Sequence, residues 1–172
     1  MGGRIRGRPK GTTGQAALLG PDEIKALLRS ARQCGRFVDR AELVIALSIE
    51  LGLRWANVYH PDGIVRDCLE VRRAYTKTRT VSSIAVTVHS SKLRILLADY
   101  REKLDPHVSR FDQAPLFESQ RGGHMTAASM TRFIAGIYQR AGIVGGSSRS
   151  GRRTLIARLD WQAGRKKYLN NT

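Results

Sequence analysis

Six of the cations in three separated stretches have a chemistry that poses the first question. Arg54 lies in LGLRWANV at 51–58, Lys77 and Arg79 lie in TKTRT at 76–80, and Arg149, Arg152 and Arg153 lie in SSRSGRRTLIARL at 147–159. A guanidinium is planar, stays charged at any working pH and carries a fork of donors that fits two oxygens of one phosphate. A lysine ammonium is a flexible point charge that can also act as a proton donor. Taken singly, each residue has a plainer reading. Arg54 follows a helical pattern and suits a dipole or salt-bridge role, 77–79 suits a solvated hairpin, and Arg152 and Arg153 suit a charged surface.

The bulk composition favours the anion-holding reading. The chain has 172 residues with 30 Lys+Arg against 14 Asp+Glu, a formal net charge of +16. Such a surplus attracts polyanions at long range, and neutralising phosphates releases counterions, so nucleic acid is the leading partner. With 41% hydrophobic residues the chain can bury the core of one ordinary domain. The longest apolar stretch, Leu43 to Leu53, is shorter than a bilayer span and contains Glu50, so no membrane partner is expected. The start, MGGRIRGRPKG, is basic but has no apolar run behind it, unlike a secretory signal. Cys34 and Cys68 are isolated and the His residues are scattered, so no metal set and no cofactor is expected, and a reducing cytoplasm fits.

The elements that must position these cations can be read from periodicity. Residues 1–19 are rich in Gly, Arg and Thr and read as a flexible basic arm. Pro21 opens a helix whose Ile24, Leu27, Leu28 and Ala31 form one apolar face, ended by Gly35. A second helix is expected from Asp39, with a capping-box-like Glu42 three residues on, to Gly52. It is apolar around most of its circumference, so it should be the central buried helix. After His60-Pro61-Asp62-Gly63 the period changes to two, through Leu69 and Val71 and again through Ile84, Val86 and Val88, giving an antiparallel hairpin near 77–82. Ser90 or Ser91 caps a helix to Lys103, and Thr126 caps another to about Arg140 with Met130, Phe133, Ile134 and Ile137 inward. A Gly/Ser loop then leads to a last helix from about Ser150 to Gln162. Helices, a short sheet and more helices make an α+β domain, mainly helical, over 20–160, with a basic tail at 161–172.

Together the three cationic stretches, in this order and on these elements, resemble the catalytic domain of the tyrosine recombinase (phage integrase) family. APLFESQRGGHMTAASMTRFIAGIYQRAGI agrees in spacing and character with the segment that precedes the family's His-x-x-Arg box, and SGRRTLIARL is the most specific match. The resemblance spans about residues 20–159. It implies that Arg54 and Arg152 hold the non-bridging oxygens of a DNA phosphate in the transition state. It also implies a hairpin cation, Lys77 or with a shifted register Arg79, as acid toward the leaving oxygen.

The departures from the family pattern carry as much weight. The box reads Arg149-Ser150-Gly151-Arg152, with arginine in the histidine place, and an arginine cannot act as a base near neutral pH. Asn57 stands where the family has a carboxylate that orients the first arginine. After Leu159 the chain reads DWQAGRKKYLNNT, without the second His/Trp box and the tyrosine helix; Tyr168 is the one tyrosine beyond the box and suits a basic tail. Removing the nucleophile removes the covalent mechanism, so the expectation is DNA binding without strand cleavage.

The arm carries its own motif. Arg6-Gly7-Arg8-Pro9-Lys10 resembles an AT-hook. Gly7 allows close approach to the minor-groove floor, Pro9 keeps its neighbours extended, and the arginines are drawn by the potential of a narrow A·T groove. A sequence-indifferent phosphate-binding arm is the equal alternative. Arg79 and Arg153 join the arm as expected DNA contacts. The expected function is thus that of an integrase-like DNA-binding protein of the bacterial or phage nucleoid, acting on double-stranded DNA, with an intact integrase or further subunits as candidate partners. A non-catalytic DNA-binding regulator and a decaying integrase remnant are the alternatives.

Overall fold

A computed structural model describes residues 16–52, 58–72, 83–104, 108–120 and 123–169, with the backbone alone for 70–72, 83–86 and 162–169. The element order is α1 (Pro21–Arg32), a 3-10 turn (Gly35–Phe37), α2 (Val38–Glu50), β1 (Cys68–Arg72), β2 (Ser83–Thr87), α3 (Ser91–Arg101), α4 (Ala127–Arg140) and α5 (Ser150–Leu169). The mainly helical α+β architecture expected from the sequence is the one observed.

α2 is the hub. Ala41 and the unbroken run Leu43 to Ile49 are all buried, so the helix has no solvent face over its second half. A helix apolar on all sides must be surrounded, and α2 packs against α1, α3, α4 and α5. α1 and α4 close one side, where Ser30 Oγ donates to the Ile137 carbonyl at 3.1 Å in the core. Met130, Ile134 and Ile137 are fully buried on the inner face of α4.

The start of α2 departs from the capping-box expectation. The helix begins at Val38 directly after the 3-10 turn, its N-cap is Phe37, and no side chain caps it. Gly35 takes a positive φ of 56°, and the turn bonds Phe37 N–H to the Cys34 carbonyl and Val38 N–H to the Gly35 carbonyl, so α2 continues directly from it. Asp39 and Glu42 are thereby freed for ion pairs, with Lys103 at 2.6 Å and with Arg32 at 2.7 Å. The caps of α3 and α4 follow expectation: Ser90 Oγ accepts from Leu93 N at 3.2 Å, and Thr126 Oγ1 accepts from Ser129 N at 3.2 Å.

β1 and β2 form a two-stranded antiparallel sheet in the register Leu69↔Val86 and Val71↔Ile84. Its connecting hairpin, 73–82, lies outside the described residues. The sheet is fastened to the helices by buried Leu69 and Val88, and by Tyr59, whose hydroxyl donates to the Leu97 carbonyl at 2.7 Å.

α5 differs from expectation at its far end. It continues to Leu169 rather than stopping near Gln162, so the stretch expected to be a tail is helical. Ala163, Arg165, Lys166, Lys167 and Leu169 are good helix formers, and intrinsic propensity extends the helix where no core periodicity exists. Its near end is fixed by contact. A Cβ on Gly151 would collide with Ser48 Oγ and lie 2.7 Å from both the carbonyl carbon and oxygen of Ser48, so only glycine admits this approach of α5 to α2. Gly151→Ala is expected to destabilise the fold by about 1–3 kcal/mol through overpacking against backbone. Urea unfolding measures this; Ser48→Ala in the same chain removes the Oγ obstruction but should restore the midpoint only in part, because the Ser48 carbonyl carbon and oxygen still stand in the way.

Candidate nucleic-acid interface

The turn that precedes α5 is built from serines. Ser147 N–H donates to Ser150 Oγ at 3.0 Å, Ser150 N–H donates to the Ser147 carbonyl at 2.9 Å, and Arg149 N–H donates to Ser147 Oγ at 3.3 Å. Ser150 is completely buried, so its hydroxyl serves the turn rather than solvent. Arg153 N–H returns to the Arg149 carbonyl at 3.0 Å, which closes the first helical turn. The Arg149 and Arg152 side chains are both exposed on that turn. No acidic residue occupies the first turn of α5, so the helix dipole and the arginines add with the same sign.

α2 delivers its end to the same place. It stops at Gly52, whose φ of 63° turns the chain in the left-handed region. A Cβ there would lie 3.2 Å from Arg152 Cγ and 3.3 Å from Leu155 Cδ2. The stem of Arg152 therefore runs across the exit of α2, and Arg54 follows Gly52 by two residues in the chain. Arg54 itself lies outside the described residues, as do Lys77, Arg79 and the arm residues Arg6, Gly7, Arg8, Pro9 and Lys10. Arg149 and Arg152 are thus brought together on one exposed turn.

Arg153 points elsewhere. Its side chain is half-buried, and Nη1 donates to the Ala16 carbonyl. Beside it, Leu19 N–H donates to Thr154 Oγ1 at 2.9 Å and Ala17 N–H donates to the Gly145 carbonyl at 3.1 Å. Neither Thr154 nor the Ser48–Gly151 contact was visible to sequence reasoning. Small residues at 48 and 151 were the available signal, and periodicity alone does not pair them.

A groove of about 490 Å³ between α1, α2, α3 and α5 is floored by Ile24, Leu28, Ile49 and Leu155, and neither Arg149 nor Arg152 lines it. Among the described residues there is no group of three or more potential metal ligands, and no helix is long and apolar enough to cross a membrane.

The described tyrosine side chains belong to the core. Tyr59 and Tyr138 are each 2% exposed, and Tyr100 packs edge-on against Phe117 with ring centroids 5.8 Å apart. Burial pushes the Tyr138 phenol up to about 12 and raises those of Tyr59 and Tyr100 as well. None of the three offers a phenolate near neutral pH. Tyr168 is placed on the last turn of α5 by its backbone.

No protein-family model matches the chain, and no curated protein matches it in sequence. The fold resembles a recombinase catalytic domain. One solved structure that shows this is the crystal structure of XerA recombinase, similar with a TM-score of 0.63 at 18% identity, over 91% of this chain and 52% of that one. The chain thus spans about half the length of the recombinase chain it matches.

The buried tyrosines set an alkaline limit. In the unfolded chain they lose their protons near pH 10, while Tyr138 in the fold holds its proton to about 12. The folded state then binds more protons, so the contribution is fully present below pH 10 and is lost as pH rises toward 12. In a chain carrying Tyr75→Phe and Tyr168→Phe, the urea midpoint should fall across that interval, with tyrosinate absorbance rising in step with unfolding. Tyrosinate absorbance well ahead of unfolding in that variant would contradict the buried placement.

Proposed function

We propose that this chain binds double-stranded DNA and holds a backbone phosphate on the first turn of α5. In this reading Arg149 and Arg152 grip the phosphate, and Arg54 with a hairpin cation, Lys77 or Arg79, completes the positive pocket. One observation carries it: the turn bearing Arg149 and Arg152 is packed on Gly52, two residues before Arg54, with both guanidinium side chains exposed. The net charge of +16 and the likeness to a recombinase fold support DNA as the partner. The arm adds a second contact, with Arg6, Gly7, Arg8, Pro9 and Lys10 in a minor groove rich in A·T.

Strand cleavage is not assigned to these 172 residues. The covalent mechanism needs an attacking tyrosine, and among the described side chains Tyr59, Tyr100 and Tyr138 are core residues, while Tyr168 suits a basic stretch. Arg149 keeps charge where the family's box has a proton-accepting histidine, which suits holding a phosphate and not proton transfer. A non-catalytic DNA-binding regulator, competing with an intact integrase for its sites, is the role that this chemistry fits.

Anisotropy titrations of a labelled duplex over a range of salt test the proposal. Log affinity should fall linearly with log salt, by about 0.9 per phosphate neutralised. Arg152→Ala should weaken binding to all sequences alike and make the slope shallower by about 1. Arg6→Ala with Arg8→Ala should weaken it further. A nicked suicide duplex should give no covalent adduct; an adduct abolished by Tyr168→Phe would overturn the non-cleaving assignment and leave the binding assignment intact.

A further inference from the structure

The root of the arm is bonded to the loop before α5 and to its first turns, beside the proposed phosphate grip. Ala16, Ala17 and Leu19 make these bonds: the Ala16 carbonyl to Arg153, Ala17 N–H to the Gly145 carbonyl, and Leu19 N–H to Thr154 Oγ1. The Leu19 bond is buried, and the Leu19 side chain belongs to the core cluster. Arg153 adjoins Arg152 in the chain, so Ala16 lies within one arginine side chain of the α5 backbone at that turn. In a molecule of net charge +16, this arginine turns from the exposed face toward a backbone carbonyl.

We propose that this mooring makes the arm and α5 a single bipartite reader of one duplex, with the arm's A·T contact held at a fixed offset from the phosphate gripped by Arg149 and Arg152. The inference rests on the DNA-binding reading above and adds the register between its two contacts. Chain length sets the limit. From Ala16 back to Lys10 is six residues, and back to Arg6 is ten, which at full extension reach about 20 and 35 Å. One turn of B-DNA is about 35 Å, so the arm core can enter only a minor groove within about one turn of the phosphate. Within that reach the second contact is intramolecular and benefits from a high effective concentration; beyond it the arm contributes nothing to the same complex. Arg153 and Thr154 act in this scheme as positioning residues, through the backbone they hold.

Selection of bound duplexes from a randomised pool by the full chain, followed by hydroxyl-radical footprinting and phosphate-ethylation interference, tests the register. The expected result is a protected A·T minor-groove tract at one offset, within about 10 base pairs of the phosphates whose ethylation blocks binding. Inserting about twelve Gly/Ser residues between Gly14 and Gln15 triples the tether. It should lower affinity for the selected duplex about fivefold, from the −3/2 power dependence on tether length, and let the tract drift outward on reselection. Arg153→Ala, which releases the Ala16 carbonyl, should broaden the offset. An unchanged offset and affinity in the insertion variant would overturn the mooring, as would even protection with no A·T tract, while normal duplex binding would leave the DNA-binding reading standing. Failure of the unaltered chain to retain any duplex would overturn both.

Discussion

Everything at the candidate interface depends on how closely α5 approaches the end of α2. Gly151 lies against the main chain of Ser48, and Gly52 lies against the stem of Arg152. Because α2 is buried on all sides, its C-terminal turn cannot be reached by a side chain of ordinary size without displacing the core. Two glycines, one on each partner, remove the obstruction. The consequence is positional: the exit of α2 and the first turn of α5 become one rigid corner, and the exposed arginines on it inherit their placement from core packing rather than from a loop.

Charge is then distributed around that corner by omission. Several acids among the described residues form ion pairs away from that corner, Glu42 with Arg32, Asp67 with Arg94, Asp39 with Lys103 and Asp112 with Arg110. Exposed pairs of this kind add little stability, on the order of 0–1 kcal/mol each, so the fold does not rest on them. Their effect is to neutralise cations on the flanks. The first turn of α5 has no acid of its own and adds the positive end of its dipole to the exposed Arg149 and Arg152.

How much of this was legible in the sequence follows the range of the interactions. The apolar faces of α1 and α4, the caps at Ser90 and Thr126, the stop at Gly52 and the alternation through Leu69 are local signals, and each marks its element correctly. Asp39 misled because a capping box is a local pattern, and a preceding 3-10 turn removed the need for it. The length of α5 was missed because core periodicity was used to end a helix that propensity alone continues. The mooring of the arm was invisible, since Leu19 and Thr154 are 135 residues apart and nothing in their spacing couples them. Of the candidate site, the pairing of Arg149 with Arg152 on one turn was readable from the box. The bonding of Arg153 to Ala16 was not.

That bonding changes what a basic cluster means here. Three arginines within five residues suggest three equivalent phosphate contacts, yet the turn treats them differently. Arg149 and Arg152 are exposed, and Arg153 is half-buried on a backbone carbonyl. An exposed guanidinium acts through its charge and is screened by salt. One bonded to a backbone carbonyl acts through geometry, and salt weakens it less because the partner carries no net charge to screen. A surface that must hold a polyanion while keeping an arm in register needs both kinds, and in this chain they stand at adjacent positions on the first turns of one helix.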